Sequence, residues 1–308
     1  MFKAKKSIVV VMAVLLIGLL VLVGCGKQAT NQSQSSSGNQ SQSQSQSQGT
    51  SQGSEASGSI TAAGSSALLP LVEEAASQFM SKNPNARINV QAGGSGTGLK
   101  LVSEGSVDIG NSDIFAEEKL DADKAKELVD HKVCVVGFAT VVNPDVNVDN
   151  LTKQQLIDIF TGKITNWKEV GGNDQKVVIL NRPTSSGTRA TFKKYALDGK
   201  EEAQGIALTE ESSGAIKKAI ADTPGSISYL ALSYVDGSVK ALKLDGVEPT
   251  VENITTGKYP IWSYEHMYTK GEPTGLTKAF LEYMMSDEVK PLIKELGYIP
   301  NSDMKVSR

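Results

Sequence analysis

Apolar and polar positions divide the chain into three stretches. An unbroken apolar run spans Ile8 to Val23 behind Lys3, Lys5 and Lys6. Residues 26–59 then hold almost nothing apolar, with 12 serines and 9 glutamines among 34 residues. From Ser59 onward short apolar runs alternate with amphipathic ones. The run at 60–63 predicts a strand, and Leu68, Leu71, Val72, Ala75, Ala76 and Phe79 fall at helical spacing ahead of Pro84. A strand at 87–91, a short helix from 98 and a strand at 107–109 follow. Such alternation predicts an α/β architecture with a parallel-rich sheet covered on both faces. The stretch 132–143 is too long and β-rich for a simple strand, which suggests a chain leaving one lobe for another. Further on, the pattern predicts helices at 153–160, 188–196 and 214–221 and strands at 176–180 and 226–229. A second β-rich run at 259–268 precedes helices at 275–285 and 287–296. Two β-rich crossings enclosing an inserted segment predict two lobes joined by paired connections, with 60–142 and 259–308 in lobe I and 143–258 in lobe II.

Composition separates these stretches further. Of the net charge of −3, the three leader lysines contribute +3 and the second stretch is neutral, which leaves −6 on the remainder. That balance does not suggest a nucleic-acid surface. Cys25 and Cys134 are the only cysteines and His131 and His266 the only histidines, so neither a disulfide framework nor a multi-histidine or cysteine-built metal centre is expected. No cofactor is expected either. Cys134 sits in an apolar stretch and reads as a buried, unreactive thiol.

The basic start and apolar run have the layout of a secretory signal, short for a membrane span. Leu22-Val23-Gly24-Cys25 resembles the lipobox of bacterial lipoproteins, which implies a signal peptide at 1–24 and a lipid on Cys25. The Ser/Gln stretch reads as a disordered tether at 25–59, roughly 30 Å across as a coil and on the order of 110 Å when stretched.

Four loops share glycine, serine and threonine where a strand gives way to a helix: Gly64-Ser65-Ser66-Ala67, Gly93 to Gly98, Gly110-Asn111-Ser112-Asp113 and Thr184 to Thr188. Helix N-termini carry free N–H donors and partial positive charge, glycine admits a ligand to the backbone, and hydroxyls add donors. Each loop alone reads as a capping or turn device; four together point to an oxyanion site. The chain has only four arginines, and Arg182 and Arg189 flank the last loop. Arg182 is the candidate for gripping an oxyanion, whereas Arg189 could equally pair with a carboxylate. Trp167 and Tyr229 read as packing residues and the histidines as structural ones.

These loops, together with Asp108 to Asp113, Gly162 to Gly172 and Arg182 to Arg189, resemble the phosphate-binding lipoproteins of bacterial phosphate ABC importers, in order from about Ile60 to the C-terminus. The resemblance implies a type II periplasmic-binding-protein fold: two lobes, each a mixed sheet flanked by helices, joined by two hinge crossings. It implies ligands for inorganic phosphate at Ser66, the backbone N–H of Ala67, Ser95, Asp113, Arg182, Ser186, Gly187 and Thr188. It further implies delivery to a membrane permease, a lipid-anchored monomer on the outer face of the cell membrane, and no catalysis. Asp113 fits phosphate, which retains a proton to donate near neutral pH, better than fully ionised sulfate. A receptor for sulfate, molybdate or an organic phosphate is the alternative, followed by an anchored serine hydrolase. No Gly-x-Ser-x-Gly elbow supports the latter.

Overall fold

The computed structural model describes residues 56–203 and 208–308. The expected signal peptide, Cys25 and most of the tether lie outside the described residues. In chain order the elements are β1 (Gly58–Gly64), α1 (Leu69–Lys82), β2 (Ala86–Ala92), α2 (Ser95–Ser103), β3 (Ile109–Ser112), α3 (Ala122–Lys126) and β4 (Leu128–Val142). Next come β5 (Asn150–Leu151), α4 (Lys153–Phe160), β6 (Val178–Asn181), α5 (Gly187–Tyr195), β7 (Leu208–Thr209), α6 (Ser213–Asp222) and β8 (Ser226–Ala231). Two short strands, β9 (Lys240–Ala241) and β10 (Lys243–Leu244), α7 (Val251–Thr255), β11 (Trp262–Lys270), α8 (Gly275–Met284) and α9 (Lys290–Glu295) complete the chain.

The main sheet runs β2-β1-β3-β11-β4-β8-β6-β7, with β9 beside β4. It is mixed: β1 pairs in parallel with β2 and β3, and β6 in parallel with β7 and β8, while β11 and β4 run antiparallel between them. The 15-residue β4 connects the two halves. Residues from Leu128 to Gly137 pair with β11, and those from Phe138 to Val142 pair with β8. The chain returns at Ile261, whose carbonyl accepts from Phe138 N at 2.9 Å. Both β-rich crossings expected from sequence therefore meet side by side.

Helices cover both faces of the sheet. Pro70 fits the first turn of α1, where a missing N–H costs nothing, and Leu71, Val72, Ala75, Ala76 and Phe79 are its buried positions. Phe79 meets Phe280 and Tyr283 of α8 with ring centroids 5.6 and 5.4 Å apart. On another face Leu99 and Val102 of α2 pack with Ile114 and Tyr268, and Ile216 and Ile220 of α6 pack with Ala139, Val141 and Leu180. Each fully buried aliphatic contributes about 1.5–3 kcal/mol relative to exposure. Trp167 is completely buried and donates Nε1–H to Gly225 O at 2.9 Å, a packing anchor. Cys134 is a buried free thiol whose pKa burial pushes well up, in keeping with an unreactive role.

Two of the boundaries that differ from the sequence pattern bear on the site. α2 begins at Ser95, three residues before the expected start, so the glycine-rich loop is itself the first turn. β3 extends through Gly110, Asn111 and Ser112, which have the composition of a turn. Pairing with β1 on one side and β11 on the other overrides their low strand propensity. Gly110 is needed there because a Cβ would stand 2.6 Å from Val102 Cγ1 and 2.7 Å from Gly98 O.

Candidate functional site

The parallel strands aim their carboxyl ends at one crevice, and most of them lead into a helix there. β1 leads to Ser65–Leu68, β2 to Ser95, β3 to Asp113, β6 to Arg182 and the start of α5, and β7 to the start of α6. Ser66, Ala67, Ser95, Asp113, Arg182, Ser186, Gly187 and Thr188 are all buried at this convergence, none of the polar ones more than 3% exposed. An anion held there would be removed from bulk water.

Ser66 is the meeting point of the two halves. Its hydroxyl oxygen accepts from Arg182 Nη2 at 3.1 Å and from Ser213 N at 3.1 Å, and lies 3.1 Å from Ser213 Oγ. With its lone pairs engaged, Ser66 has its proton left to give. Ser95 Oγ likewise accepts from Asp113 N at 2.9 Å and keeps a proton to donate. Ser186 caps α5 by accepting from Arg189 N at 3.2 Å, so Gly187 and Thr188 form the first turn of that helix. The N–H of Ala67 already reaches Ser65 Oγ at 3.0 Å, as does Leu68 N at 3.1 Å, so a ligand at Ala67 would share that donor with Ser65. Tyr234 OH donates to Ser66 O at 2.7 Å and Tyr298 OH to Ala67 O at 2.5 Å. These two bonds hold the loop carbonyls away from the site.

Arg182 is the buried cation of the crevice. Nη1 donates to Ser213 Oγ at 3.2 Å and Nη2 to Glu211 O at 3.1 Å, while no protein acceptor reaches Nε. Among the described residues no carboxylate forms an ion pair with this guanidinium, and burial draws its pKa below the ordinary arginine value. A buried cation without an ion-pair partner is costly. The arrangement therefore favours an anion.

Asp113 takes two hydroxyl donors: Ser65 Oγ bonds Oδ1, and Thr188 Oγ1 bonds Oδ2 at 2.8 Å. Both oxygens keep lone pairs that can accept a further proton donor. Gly187 permits the close approach of α5. A Cβ there would collide with Ser95 Oγ and stand 2.7 Å from Ser95 Cβ and 3.0 Å from Asp113 Cβ.

Arg189 takes the other option open to it. Nη2 lies 3.4 Å from Glu202 Oε2, and Nη1 donates to Arg182 O at 2.5 Å. Tyr229 stacks on Phe192 and donates its hydroxyl to Glu202 Oε1 at 2.8 Å. Burial pushes the Glu202 carboxyl up, against the opposing pull of Arg189. Tyr229, Glu202 and Arg189 thus brace the backbone of Arg182. The histidines bond to other partners: His266, in register with Ser112, has Nδ1 2.7 Å from Asp130 Oδ1, and His131 Nε2 is 3.2 Å from Thr269 Oγ1.

Sequence reasoning missed Ser213, Glu202, Tyr234, Tyr298 and Glu265. Ser213 carried a signal, since Ser212-Ser213-Gly214 has the same composition ahead of a helix as the other four loops. The tyrosines and acids lie far from the loops in sequence and carried none.

A family model described as a PBP superfamily domain matches residues 49–288. The phosphate-binding protein PstS of Bacillus subtilis strain 168 is 62% identical over 256 residues, covering 82% of this chain and 84% of that protein. A putative phosphate ABC transporter substrate-binding protein from Clostridium perfringens, solved with bound phosphate, superposes with a TM-score of 0.74 at 33% identity, covering 79% of this chain and 99% of that one. An ABC-type phosphate transport receptor from Vibrio cholerae gives a TM-score of 0.63 at 32% identity, covering 78% and 99%. The chain belongs to the periplasmic-binding-protein superfamily, and within it to the family of phosphate-binding proteins of ABC importers.

Proposed function

We propose that the chain captures inorganic phosphate between its two lobes and hands it to the permease of an ABC importer. The observation that carries this reading is Arg182, a buried guanidinium without a carboxylate partner, set among hydroxyl and N–H donors from both halves of the sheet. Phosphate supplies the missing negative charge. Arg182, Ser66, Ser95, Ser186, Thr188 and the N–H groups of Gly187 and Ala67 surround its oxygens, and Asp113 accepts its proton. Oriented dipoles in a water-poor site hold a dianion without net positive charge. On this reading 60–142 and 259–308 form one lobe and 143–258 the other, and the change of partner of β4 between Gly137 and Phe138 supports a crossing near the first boundary.

The protein acts as a receptor and not as a hydrolase. Ser95 and Ser186 accept from backbone N–H groups and Ser66 accepts from Arg182 and Ser213, while both histidines bond elsewhere. A lipid on Cys25 anchors it on the outer face of the membrane, with the Ser/Gln stretch as tether. Calorimetric titration with phosphate tests the reading; an equal affinity for sulfate contradicts it.

A further inference from the structure

Three carboxyl groups are buried among the described residues: Asp113, Glu202 and Glu265. Asp113 is answered by Ser65 and Thr188, and Glu202 by Arg189 and Tyr229. Glu265 is wholly buried, yet no donor reaches either of its oxygens. Its position follows from the sheet. Ser112 at the end of β3 pairs with His266, so Asp113, one residue further, comes opposite Glu265, and a bulge between Glu265 and His266 alters the alternation there. The titratable groups facing Glu265 are Asp113, Cys134 from β4, Tyr234, and Tyr298 beyond α9. None of them is a cation at neutral pH.

Two adjoining carboxylates in a buried site without a cation between them do not both ionise. Asp113 has hydroxyl donors on both oxygens and is suited to carry the charge, whereas Glu265 has none. We infer that Glu265 is a protonated carboxylic acid that donates to Asp113 and keeps it ionised, a residue positioning the proton acceptor on which phosphate selectivity depends. Burial first, and then Asp113, push the Glu265 carboxyl well above the usual glutamate range, consistent with this arrangement. The inference rests on the reading of Asp113 as acceptor of the phosphate proton. If the proton sat on Asp113, that residue would become a donor and would accommodate sulfate as readily.

Two measurements test it. Infrared spectra of the protein with isotope-labelled glutamate at neutral pH should contain the carbonyl stretch of a protonated glutamic acid, which E265Q removes. Absence of that band in the wild-type protein overturns the inference. Phosphate and sulfate titrations between roughly pH 4.5 and 8 give the second arm. E265M, which deprives Asp113 of a donor, should show a smaller preference for phosphate over sulfate than wild type across that range. E265Q, which retains a neutral donor, should restore the wild-type profile. Superimposable profiles for E265M and wild type overturn the inference. Failure of the wild-type protein to bind phosphate overturns the proposed function instead, because the infrared band reports the Glu265 proton with or without an anion.

Discussion

Thr188 donates its hydroxyl to Asp113 Oδ2 at 2.8 Å, joining the first turn of α5 to the end of β3 across the crevice. The same closure brings Gly96 N to Ser185 O at 2.8 Å and Lys119 Nζ to Thr184 O at 3.2 Å. Lys194 pairs with Glu118 at 3.2 Å on the exposed side. The site is complete only when the halves meet, which couples anion capture to lobe closure.

Gly187 sets how closely they meet. Gly187→Ala places a methyl group against Ser95 and Asp113, and phosphate affinity should fall by about tenfold or more, since the closed form becomes harder to populate. Calorimetry reads the affinity, and solution scattering should detect less compaction on adding phosphate. An unchanged affinity would refute the role assigned to this contact.

On the proposed reading Arg182 supplies the charge that phosphate meets. Arg182→Met should weaken phosphate binding on the order of 10²-fold or more, since hydrogen bonds to charged groups contribute about 1.5–3 kcal/mol each. Thermal stability without phosphate should hold steady or rise, because the substitution removes a buried charge lacking an ion-pair partner. Arg182→Lys should recover only part of the affinity, as an ammonium cannot reproduce the planar fork. Retained affinity in the methionine variant would contradict this account.

On the proposed reading Asp113 supplies the selectivity. Asp113→Asn replaces an acceptor with a group that can also donate, and the phosphate-to-sulfate affinity ratio should narrow from a range on the order of 10³–10⁵ towards parity. Paired titrations with the two anions measure it. A ratio identical to wild type would exclude Asp113 as the proton acceptor.

Glu265 makes stability depend on pH in a definite direction. Its pKa is raised by folding, so the native chain holds a proton that the unfolded chain releases above the usual carboxylate range of about 4.3. The stabilising contribution is present below that value and is lost as pH rises towards the folded pKa, at about 1.4 kcal/mol per pH unit for one proton. Denaturant unfolding between roughly pH 5 and 7 should therefore show E265Q gaining stability relative to wild type as pH increases. A constant difference across that interval would mean that Glu265 is ionised in the fold.

The sequence revealed the loops because four strand-to-helix junctions repeat the same glycine, serine and threonine composition, although each alone is an ordinary cap or turn, and Arg182 because arginine is rare in this chain. α1 was legible from its apolar spacing, and its buried positions fall where expected. β4 betrayed itself by length. The strand character of Gly110, Asn111 and Ser112 was hidden, because it comes from pairing on both sides rather than from the residues themselves. Glu265 was hidden for a related reason: an acid in Trp262-Ser263-Tyr264-Glu265-His266 looks like a solvent-facing position until β3 and β4 enclose it. Glu202 became meaningful only when folding brought it to Arg189 and Tyr229.

On the proposed reading, a buried cation and converging donors bind phosphate while Asp113 rejects an anion without a proton. Isothermal titration of the wild-type protein with phosphate and with sulfate at neutral pH tests it most directly. Tight one-to-one binding of phosphate, with sulfate weaker by on the order of 10³-fold or more, is the expected result; equal affinities, or no phosphate binding, would contradict it.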